Sequence, residues 1–188
     1  QAVGAGFALQ WDGAKAVVYV SSGEGTSSQG DFHEALNWAS RDKVPVIFHI
    51  ENNHYAISVP IEDQTAGGSV YKISAGYDNL ARFNVDGTDF FETHLAFNKA
   101  VERARRGKGP SLIQSDVVRL LPHSSSDDQR KYRSAEDLEA DRNRDPLLTF
   151  ANTCIKAGAA KQEEFDKILP LVKSQVDADA EWAEAQPD

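Results

Sequence analysis

The sequence predicts an α/β fold in three layers, with a mostly parallel sheet, helices on both of its faces and a helical C-terminal part. Two patterns support this prediction. Short β-rich runs alternate with amphipathic helical segments over residues 1–118, and only helical patterns follow residue 134. Strands that alternate with helices pair in parallel through right-handed crossovers. With 188 residues, of which 40% are hydrophobic, the chain can form one domain around its own core.

The N-terminal part of the chain predicts a helix followed by a strand–helix–strand unit. Residues 1–9 have small and apolar residues at helical spacing and no capping residue before them, so the chain is expected to begin inside a helix. A continuous β-rich run at 16–21 predicts a strand covered on both faces. Apolar residues at helical spacing predict a helix over 29–41, and a second buried strand is predicted over 44–50.

The rest of the chain continues this alternation and then becomes helical. The next predicted elements are a short helix, a strand, a long amphipathic helix and a strand, over residues 69–76, 81–85, 89–106 and 111–118. A polar, serine-rich stretch without periodicity follows at 119–133. It predicts a functional loop, because structureless connections of this length are uncommon in compact domains. Helices are predicted over residues 135–142, 146–157 and 161–183.

Charge and cysteine content argue against several classes of function. The formal net charge of -9, from 29 acidic and 20 basic side chains, opposes nucleic acid and anionic membrane surfaces, so neither is a predicted partner. Cys154 is the only cysteine, which excludes an internal disulfide and a thiol-based metal cluster and fits a reducing compartment. We expect no membrane span and no secretory signal, since no apolar run approaches the roughly 20 residues that cross a bilayer.

Polar residues at the ends of two predicted strands indicate a site for a cation and an anion. Gly23-Glu24-Gly25-Thr26 lies between the first strand and the next helix, where glycines let backbone amides approach an anion. Asn53 follows the second strand. Ligands of open parallel sheets bind beyond the carboxyl ends of the strands, so these residues are expected to meet. A carboxylate and an amide oxygen suit Mg²⁺, which also takes phosphate oxygens and water. Alone, the tripeptide would indicate only a tight turn with an exposed acid.

The spacing of these two motifs resembles the thiamine-diphosphate fingerprint, Gly-Asp-Gly to Asn-Asn, with Glu24 in place of the usual aspartate. The longer strings at 23–34 and 52–58 resemble the alpha subunit of the decarboxylase component of 2-oxo acid dehydrogenase complexes. The likeness continues through Asp86-Gly87 and residues 119–133, so it covers essentially the whole chain. It implies the thiamine-diphosphate-binding form of the α/β fold.

The resemblance also implies roles for individual residues. The implied Mg²⁺ ligands are Glu24, Asn53 and the backbone carbonyl of Tyr55. The implied contacts of the cofactor diphosphate are Gly23, Gly25, Thr26 and His123. His123 is also the implied catalytic residue, lying near the substrate carbon and orienting the substrate or assisting proton and acyl transfer.

The predicted active-site loop at 119–133 carries two further implications. The distance along the chain from His123 to Tyr132 has the shorter length of branched-chain-type (2-oxoisovalerate) members, where many pyruvate-type members have an extra residue. Ser124 and Ser134 match positions that are phosphorylated in mitochondrial relatives, so both are possible phosphosites. Without the resemblance, each would be an ordinary serine in a polar region.

As a whole, the resemblance implies oxidative decarboxylation of branched-chain 2-oxo acids with acyl transfer to a lipoyl-acyltransferase. It implies a single alpha domain over residues 1–188, truncated at its N-terminus, which needs a beta subunit or beta domain and assembles as a heterotetramer. The alternatives are a pyruvate- or acetoin-type alpha subunit, or a non-catalytic fragment that only pairs with a beta partner. The expected location is the bacterial cytoplasm, with the mitochondrial matrix as the alternative.

Overall fold

A computed structural model describes residues 1–187 of the protein, and these residues contain six strands and eight α-helices. The strands are β1 (Val18–Gly23), β2 (Val46–Asn52), β3 (Tyr55–Ala56), β4 (Val59–Pro60), β5 (Ala81–Asp86) and β6 (Ser111–Asp116). The helices are α1 (Ala2–Trp11), α2 (Gly30–Asp42), α3 (Ile61–Gln64), α4 (Val70–Ile73), α5 (Phe90–Arg105), α6 (Ala135–Asn143), α7 (Pro146–Lys156) and α8 (Gln162–Glu184).

Four strands form one parallel sheet with the order β1-β2-β6-β5. α2 connects β1 to β2, and α5 connects β5 to β6, so each is a crossover between parallel neighbours. β3 and β4 form a separate antiparallel pair immediately after β2. Because the four sheet strands are parallel, their carboxyl ends lie along a single edge, and this edge carries the candidate site.

The two faces of the sheet are covered by different helices. On one face, β2 and β6 residues such as Phe48 and Leu112 pack with Leu36 of α2 and Val70 of α4, and α1 packs against the same cluster. On the other face, Ile47, Val85 and Ile113 pack against the alanines of α5. Strands covered on both faces need apolar residues at consecutive positions, which explains the continuous apolar run of β2.

The predicted fold class is confirmed, and several local features differ from prediction. β1 and β2 each begin and end two residues later than predicted. β6 ends at Asp116 rather than residue 118, because its pairing with β2 ends where Asn52 lies opposite Asp116. The β3–β4 pair and the one-turn helix α3 were not predicted. Elements of two to four residues have no detectable periodicity, so contacts with the rest of the fold determine them.

The chain divides into two compact units, Gln1–Pro146 and Leu147–Asp188. The first contains the whole sheet. In the second, Phe150 and Phe165 make an edge-to-face contact with ring centroids 6.3 Å apart, and α8 contains Pro170. The single domain over residues 1–188 stays a prediction, because compactness alone does not report independent folding. Within residues 1–187, no helix is both long and apolar enough to span a lipid bilayer.

Candidate functional site

The carboxyl edge of the sheet brings the ends of β1, β2 and β6 together. In the parallel register Gly23 lies opposite Glu51, and Asn52 lies opposite Asp116. β1 continues directly into a 3₁₀ turn over Glu24–Ser28, which precedes α2. The polar residues that follow the first two strands therefore meet at the edge where parallel sheets bind ligands.

Glu24 is an ionisable residue with only 1% of its surface exposed. Its Oε2 accepts a hydrogen bond from the backbone N–H of Asn53 at 3.2 Å, whereas its Oε1 has no hydrogen-bond partner among residues 1–187. Burial raises the pKa of the Glu24 carboxyl above its ordinary value, and the backbone N–H groups of Glu24 and Asn53 oppose that shift. A buried carboxylate oxygen without a partner is unfavourable, so this position suits a cation.

The turn after β2 is closed by two consecutive asparagine side chains. Asn52 Oδ1 accepts the backbone N–H of His54, and Asn53 Oδ1 accepts that of Tyr55, each at 3.2 Å. Asparagine commonly closes turns in this way. His54 has a φ of 68°, in the left-handed region, which costs a residue with a Cβ about 1–2 kcal/mol. The two asparagines therefore hold a backbone shape that the chain would otherwise avoid.

The backbone carbonyl of Tyr55 lies in the β3–β4 pair opposite Pro60. The Ile61 N–H donates to the His54 carbonyl at 2.9 Å, so Tyr55 and Pro60 are a non-hydrogen-bonded pair and the Tyr55 carbonyl points away from β4. Asn53 Oδ1, the Tyr55 carbonyl and the Glu24 carboxylate thus lie on hydrogen-bonded neighbours and provide the oxygen ligands that Mg²⁺ prefers. Groups of three or more histidine, cysteine or acidic side chains suited to a metal are absent from residues 1–187. A Mg²⁺ held partly by phosphate oxygens and water needs only one or two carboxylates.

The two glycines that flank Glu24 have different surroundings. A Cβ at Gly25 would lie 2.8 Å from the Cβ of Ala56, so Gly25 lets the 3₁₀ turn pack closely against β3. A Cβ at Gly23 would meet no atom within 4 Å, and Thr26 is exposed. Gly23 and Thr26 therefore border open space that a ligand could fill. Gly25 is explained by a contact within the chain, and its approach to a diphosphate stays a prediction.

The serine-rich loop is held by a hydrogen-bond network around Arg119. The Arg119 guanidinium donates to the Ile57 carbonyl at 2.7 Å and to the Tyr132 hydroxyl at 2.6 Å. The Tyr132 hydroxyl donates to Asp127 Oδ2 at 2.7 Å, and the same oxygen accepts the His123 N–H at 3.0 Å. These hydrogen bonds, the one from Tyr132 first, lower the pKa of Asp127. The network ties the loop to the segment between β3 and β4.

The end of the loop is anchored by Arg133, whose side chain is 2% exposed. Its guanidinium donates to Asp137 at 2.6 Å and to Asp141 at 2.7 Å, and it lies 5.2 Å from the centroid of the Tyr55 ring. Burial opposes protonation most strongly, but the two carboxylates outweigh it and raise the pKa of Arg133 above its ordinary value. Asp141 also accepts the Arg119 N–H at 3.2 Å, so one carboxylate joins both ends of the loop to α6.

The structure brings the three predicted metal ligands together, but it does not join the His123 side chain to them. His123 is exposed, and its imidazole makes no hydrogen bond within the part of the chain that the structure describes. Ser124 and Ser134 are also exposed. The Ser134 hydroxyl accepts the Asp137 N–H at 3.1 Å and caps α6, whereas the Ser124 hydroxyl lies 3.2 Å from that of Ser126.

The residues that hold the site in place were not predicted from the sequence. They are Asn52, Asp116, Arg119 and Arg133. The two arginines are the first and last residues of the predicted loop, and their positions could have indicated that both ends of the loop are anchored by ion pairs or hydrogen bonds. Asp116 ends a buried strand, and pairing that strand with β2 would have placed its carboxylate beside the paired asparagines. No comparable pattern identifies Asn52 as different from Asn53.

Comparisons with known proteins agree with the resemblance drawn from the motifs. The chain is 41% identical over 180 residues to the 2-oxoisovalerate dehydrogenase subunit alpha of Bacillus subtilis (strain 168), covering 94% of this chain and 54% of that protein. It is 39% identical over 172 residues to the 3-methyl-2-oxobutanoate dehydrogenase subunit alpha of Mycobacterium tuberculosis (strain CDC 1551 / Oshkosh), covering 92% and 47%. It is 36% identical over 190 residues to the pyruvate dehydrogenase E1 component subunit alpha of Bacillus subtilis (strain 168), covering 100% and 50%.

The chain therefore spans about half the length of the curated relatives it matches. The sequence profile of the dehydrogenase E1 component family matches residues 1–188, which is the full length of the chain. The predicted relationship to the 2-oxo acid dehydrogenases is confirmed. The chain belongs to the dehydrogenase E1 component family.

Proposed function

We propose that this chain provides the Mg²⁺ and diphosphate half of a thiamine-diphosphate-dependent site that oxidatively decarboxylates branched-chain 2-oxo acids. The observation that carries the proposal is the buried Glu24 carboxylate, which has one oxygen on Asn53 and the other without a partner among residues 1–187. A cation at the second oxygen would offset the unfavourable burial of the charge. It would also hold an anionic ligand at an edge where parallel sheets bind ligands.

The residues present fit such a cofactor. Mg²⁺ would be held by Glu24, Asn53 Oδ1 and the Tyr55 carbonyl, and the diphosphate would face Gly23, Gly25 and Thr26. When bound, thiamine diphosphate supplies the electron sink for the loss of carbon dioxide from a 2-oxo acid. The chain's own part is to bind the charged end of the cofactor and to keep its ligands in a fixed turn.

His123 is the proposed catalytic residue. It lies on a loop tied to the β3–β4 segment through Asp127, Tyr132 and Arg119, yet its imidazole is exposed. An exposed imidazole on an anchored loop can reach a substrate that binds over the cofactor. There it would orient the substrate or assist proton and acyl transfer, and it would also approach the cofactor diphosphate.

The names of the relatives support a branched-chain substrate. The 41% and 39% identical proteins are named for 2-oxoisovalerate and 3-methyl-2-oxobutanoate, whereas the pyruvate-type relative is 36% identical. Turnover of 3-methyl-2-oxobutanoate, pyruvate and acetoin by the complete enzyme tests this choice. A preference for pyruvate or acetoin would replace the branched-chain proposal with a pyruvate- or acetoin-type one.

The proposed partners follow from the same names, in which each relative is a subunit alpha. We propose that a beta subunit or beta domain completes the site in a heterotetramer and that a lipoyl-acyltransferase receives the acyl group. The proposed location is the bacterial cytoplasm. A chain that pairs with beta but never binds cofactor would instead be a non-catalytic assembly fragment.

Phosphorylation of Ser124 and Ser134 is a separate proposal, supported by their exposure. A phosphate on Ser124 would place negative charge near Asp127, and one on Ser134 would place it beside Glu136 and Asp137 in the first turn of α6. Either would loosen the loop. Turnover by Ser124→Glu and Ser134→Glu variants of the complete enzyme tests this effect, and unchanged turnover in both would contradict it.

Calorimetric titration of thiamine diphosphate tests the proposed function. It is done with and without Mg²⁺, and with and without a beta subunit from a branched-chain relative. Binding is expected only with Mg²⁺, and a Glu24→Ala/Asn53→Ala variant should lose it. A Glu34→Ala/Asn37→Ala variant is the matched control, because it makes the same exchanges at exposed positions of α2. Metal-dependent binding that survives in the first variant would reject the assignment of the site.

A further inference from the structure

We infer that Asp116 is a positioning residue for the proposed Mg²⁺ and diphosphate site. It acts through the Asn52 side chain, which holds the turn that carries Asn53 and Tyr55. The inference rests on the proposed function, because the turn matters only if those two residues bind the metal. Neither Asp116 nor Asn52 belongs to the predicted set of ligands.

The Asp116 carboxylate lies among three side-chain amides at the carboxyl edge of the sheet. Its Oδ1 accepts hydrogen bonds from Asn52 Nδ2 at 2.8 Å and from Gln114 Nε2 at 3.1 Å. Asn84 Nδ2 lies 3.5 Å from its other oxygen. The three amides come from β2, β6 and β5, so a single carboxylate links adjacent ends of three strands.

The chemistry of a carboxylate fixes the direction of the Asn52 amide. An ionised carboxylate can only accept hydrogen bonds, so the amide must turn its NH₂ group towards Asp116. The amide oxygen then faces the opposite way and accepts the His54 N–H at 3.2 Å. Asn52 is 1% exposed, so water cannot replace Asp116 as the acceptor without entering the site. Without Asp116, the amide could reverse and set its NH₂ group against the His54 N–H.

The direction of the Asn52 amide affects the proposed metal ligands Asn53 and Tyr55, which lie one and three residues further along the chain. The bond from Asn52 holds His54 at its left-handed φ of 68°. The next bond of the same kind joins Asn53 Oδ1 to the Tyr55 N–H. Asn53 N–H also donates to Glu24, so a reversed Asn52 would disturb the whole set of oxygen ligands.

Asp116 also accepts a hydrogen bond from Gln114, and this second contact provides a comparison within the protein. Asp116 also turns the Gln114 amide, whose Oε1 accepts the Tyr71 N–H at 2.9 Å and the Ser69 hydroxyl at 3.3 Å at the start of α4. Removing Asp116 frees both amides, whereas removing the Asn52 side chain frees only the turn. Comparison of the two changes therefore separates an effect on the turn from an effect on α4.

The test uses Asp116→Ala, Asn52→Ala, the double variant and Asp116→Asn, with Asp89→Asn as a matched control for loss of a carboxylate. Asp89 caps α5, and asparagine can make the same cap. The first measurement is amide hydrogen exchange in the cofactor-free protein. The His54 amide should lose protection in both alanine variants and keep it in Asp116→Asn, whose amide oxygen can still accept. Amides of the α5 interior should stay unchanged and report correct folding.

The second measurement is Mg²⁺-dependent binding of thiamine diphosphate, in the preparation that binds it in the titration described above. Changes in residues that orient metal ligands typically weaken binding about 10- to 100-fold, and each alanine variant should do so. The double variant should be no weaker than the worse single variant, because both changes break one link. Asp116→Asn should bind within about threefold of the unmodified protein.

Two results would overturn the positioning role of Asp116, and a third would overturn the proposed function. Unchanged His54 exchange, or additive losses in the double variant, would overturn the positioning role of Asp116. If Asp116→Ala does not fold, the exchange and binding of Asn52→Ala and Asp116→Asn still decide it. If the unmodified protein never binds thiamine diphosphate with Mg²⁺, the proposed function fails, and the exchange measurement alone still decides whether Asp116 holds the turn.

Discussion

β2 and β6 change character between their apolar part and their carboxyl ends. In the apolar part, Ile47, Leu112 and Ile113 are at most 2% exposed and pack against helices on the two faces. At the ends, Asn52 and Gln114 are also nearly inaccessible, but they are hydrogen bonded to Asp116. Burial alone therefore does not separate the core from the site. The apolar part is stabilised by close packing of side chains, whereas the carboxyl ends are stabilised by hydrogen bonds that fix how each side-chain amide is oriented.

The largest effect is expected from damage to the middle of the sheet. Leu112→Ala should lower the free energy of unfolding by about 3 kcal/mol, because it leaves a cavity where a fully buried side chain packed. Urea unfolding measures the change. Leu121→Ala, at a residue that is 75% exposed, is the control and should change stability by less than about 0.5 kcal/mol. Equal losses in the two variants would contradict the description of the core.

The next effect concerns the anchored loop. Arg133→Leu should lower the free energy of unfolding by about 2 kcal/mol, because it leaves Asp141 without its buried partner. Arg130→Leu is the matched control, since Arg130 pairs with Asp128 on the same loop but is 80% exposed. Urea unfolding should show little change for the control. A control variant as unstable as Arg133→Leu would show that burial of the ion pair is unimportant.

A smaller effect of opposite sign is expected at Glu24. Glu24→Gln should raise the stability of the cofactor-free chain by about 1 kcal/mol, because it removes a buried charge with an unpaired oxygen. The same variant should lose Mg²⁺-dependent binding of thiamine diphosphate. Thermal unfolding and calorimetry measure the two effects. A less stable variant would indicate that the carboxylate is already satisfied within the chain.

The smallest effect is a dependence on pH at His49, which lies between the core and the edge. Its ring nitrogens lie 2.9 Å from the Tyr19 hydroxyl and 2.9 Å from the Ser115 hydroxyl. Burial lowers the pKa of His49 below its ordinary value, and the nearby Glu51 carboxylate opposes the shift. Below the ordinary histidine value of about 6.5, the unfolded chain then binds more protons at this position than the folded chain.

Stability should therefore fall as the pH decreases from the ordinary histidine value towards the lower value in the folded chain. His49→Gln should remove this part of the pH dependence, because glutamine keeps polar contacts without titrating. Thermal unfolding across this window, with His94→Gln at an exposed position as the control, measures the difference. Identical pH profiles for the unmodified chain and His49→Gln would contradict the expectation.

The sequence was sufficient for the elements whose stability comes from the core. The run around Val46 is continuous and apolar, and the stretch around Leu112 continues the alternation of strands and helices, so both strands and the parallel sheet could be predicted. The spacing of Glu24 and Asn53 also predicted their meeting, because parallel strands place their ends at one edge. Both predictions use patterns that are repeated along the chain or fixed by topology.

The remaining features depend on single contacts between residues far apart in sequence. The link from Asp116 to Asn52 spans 64 positions, and that from Arg119 to the Ile57 carbonyl spans 62. No local pattern identifies which residue each of these contacts joins to which, since each residue type is also common on a surface. The β3–β4 pair is equally hidden, because two-residue strands have no periodicity.

The register of the β3–β4 pair has a consequence for how readily the Tyr55 carbonyl can take a new partner. The ladder hydrogen bond next to this position joins the Ile61 N–H to the His54 carbonyl, so the Tyr55 carbonyl points away from β4. A metal would therefore not have to displace a ladder hydrogen bond to reach this oxygen. Less rearrangement is then needed when a cation arrives, because the pairing of two short strands leaves this one oxygen outside the ladder.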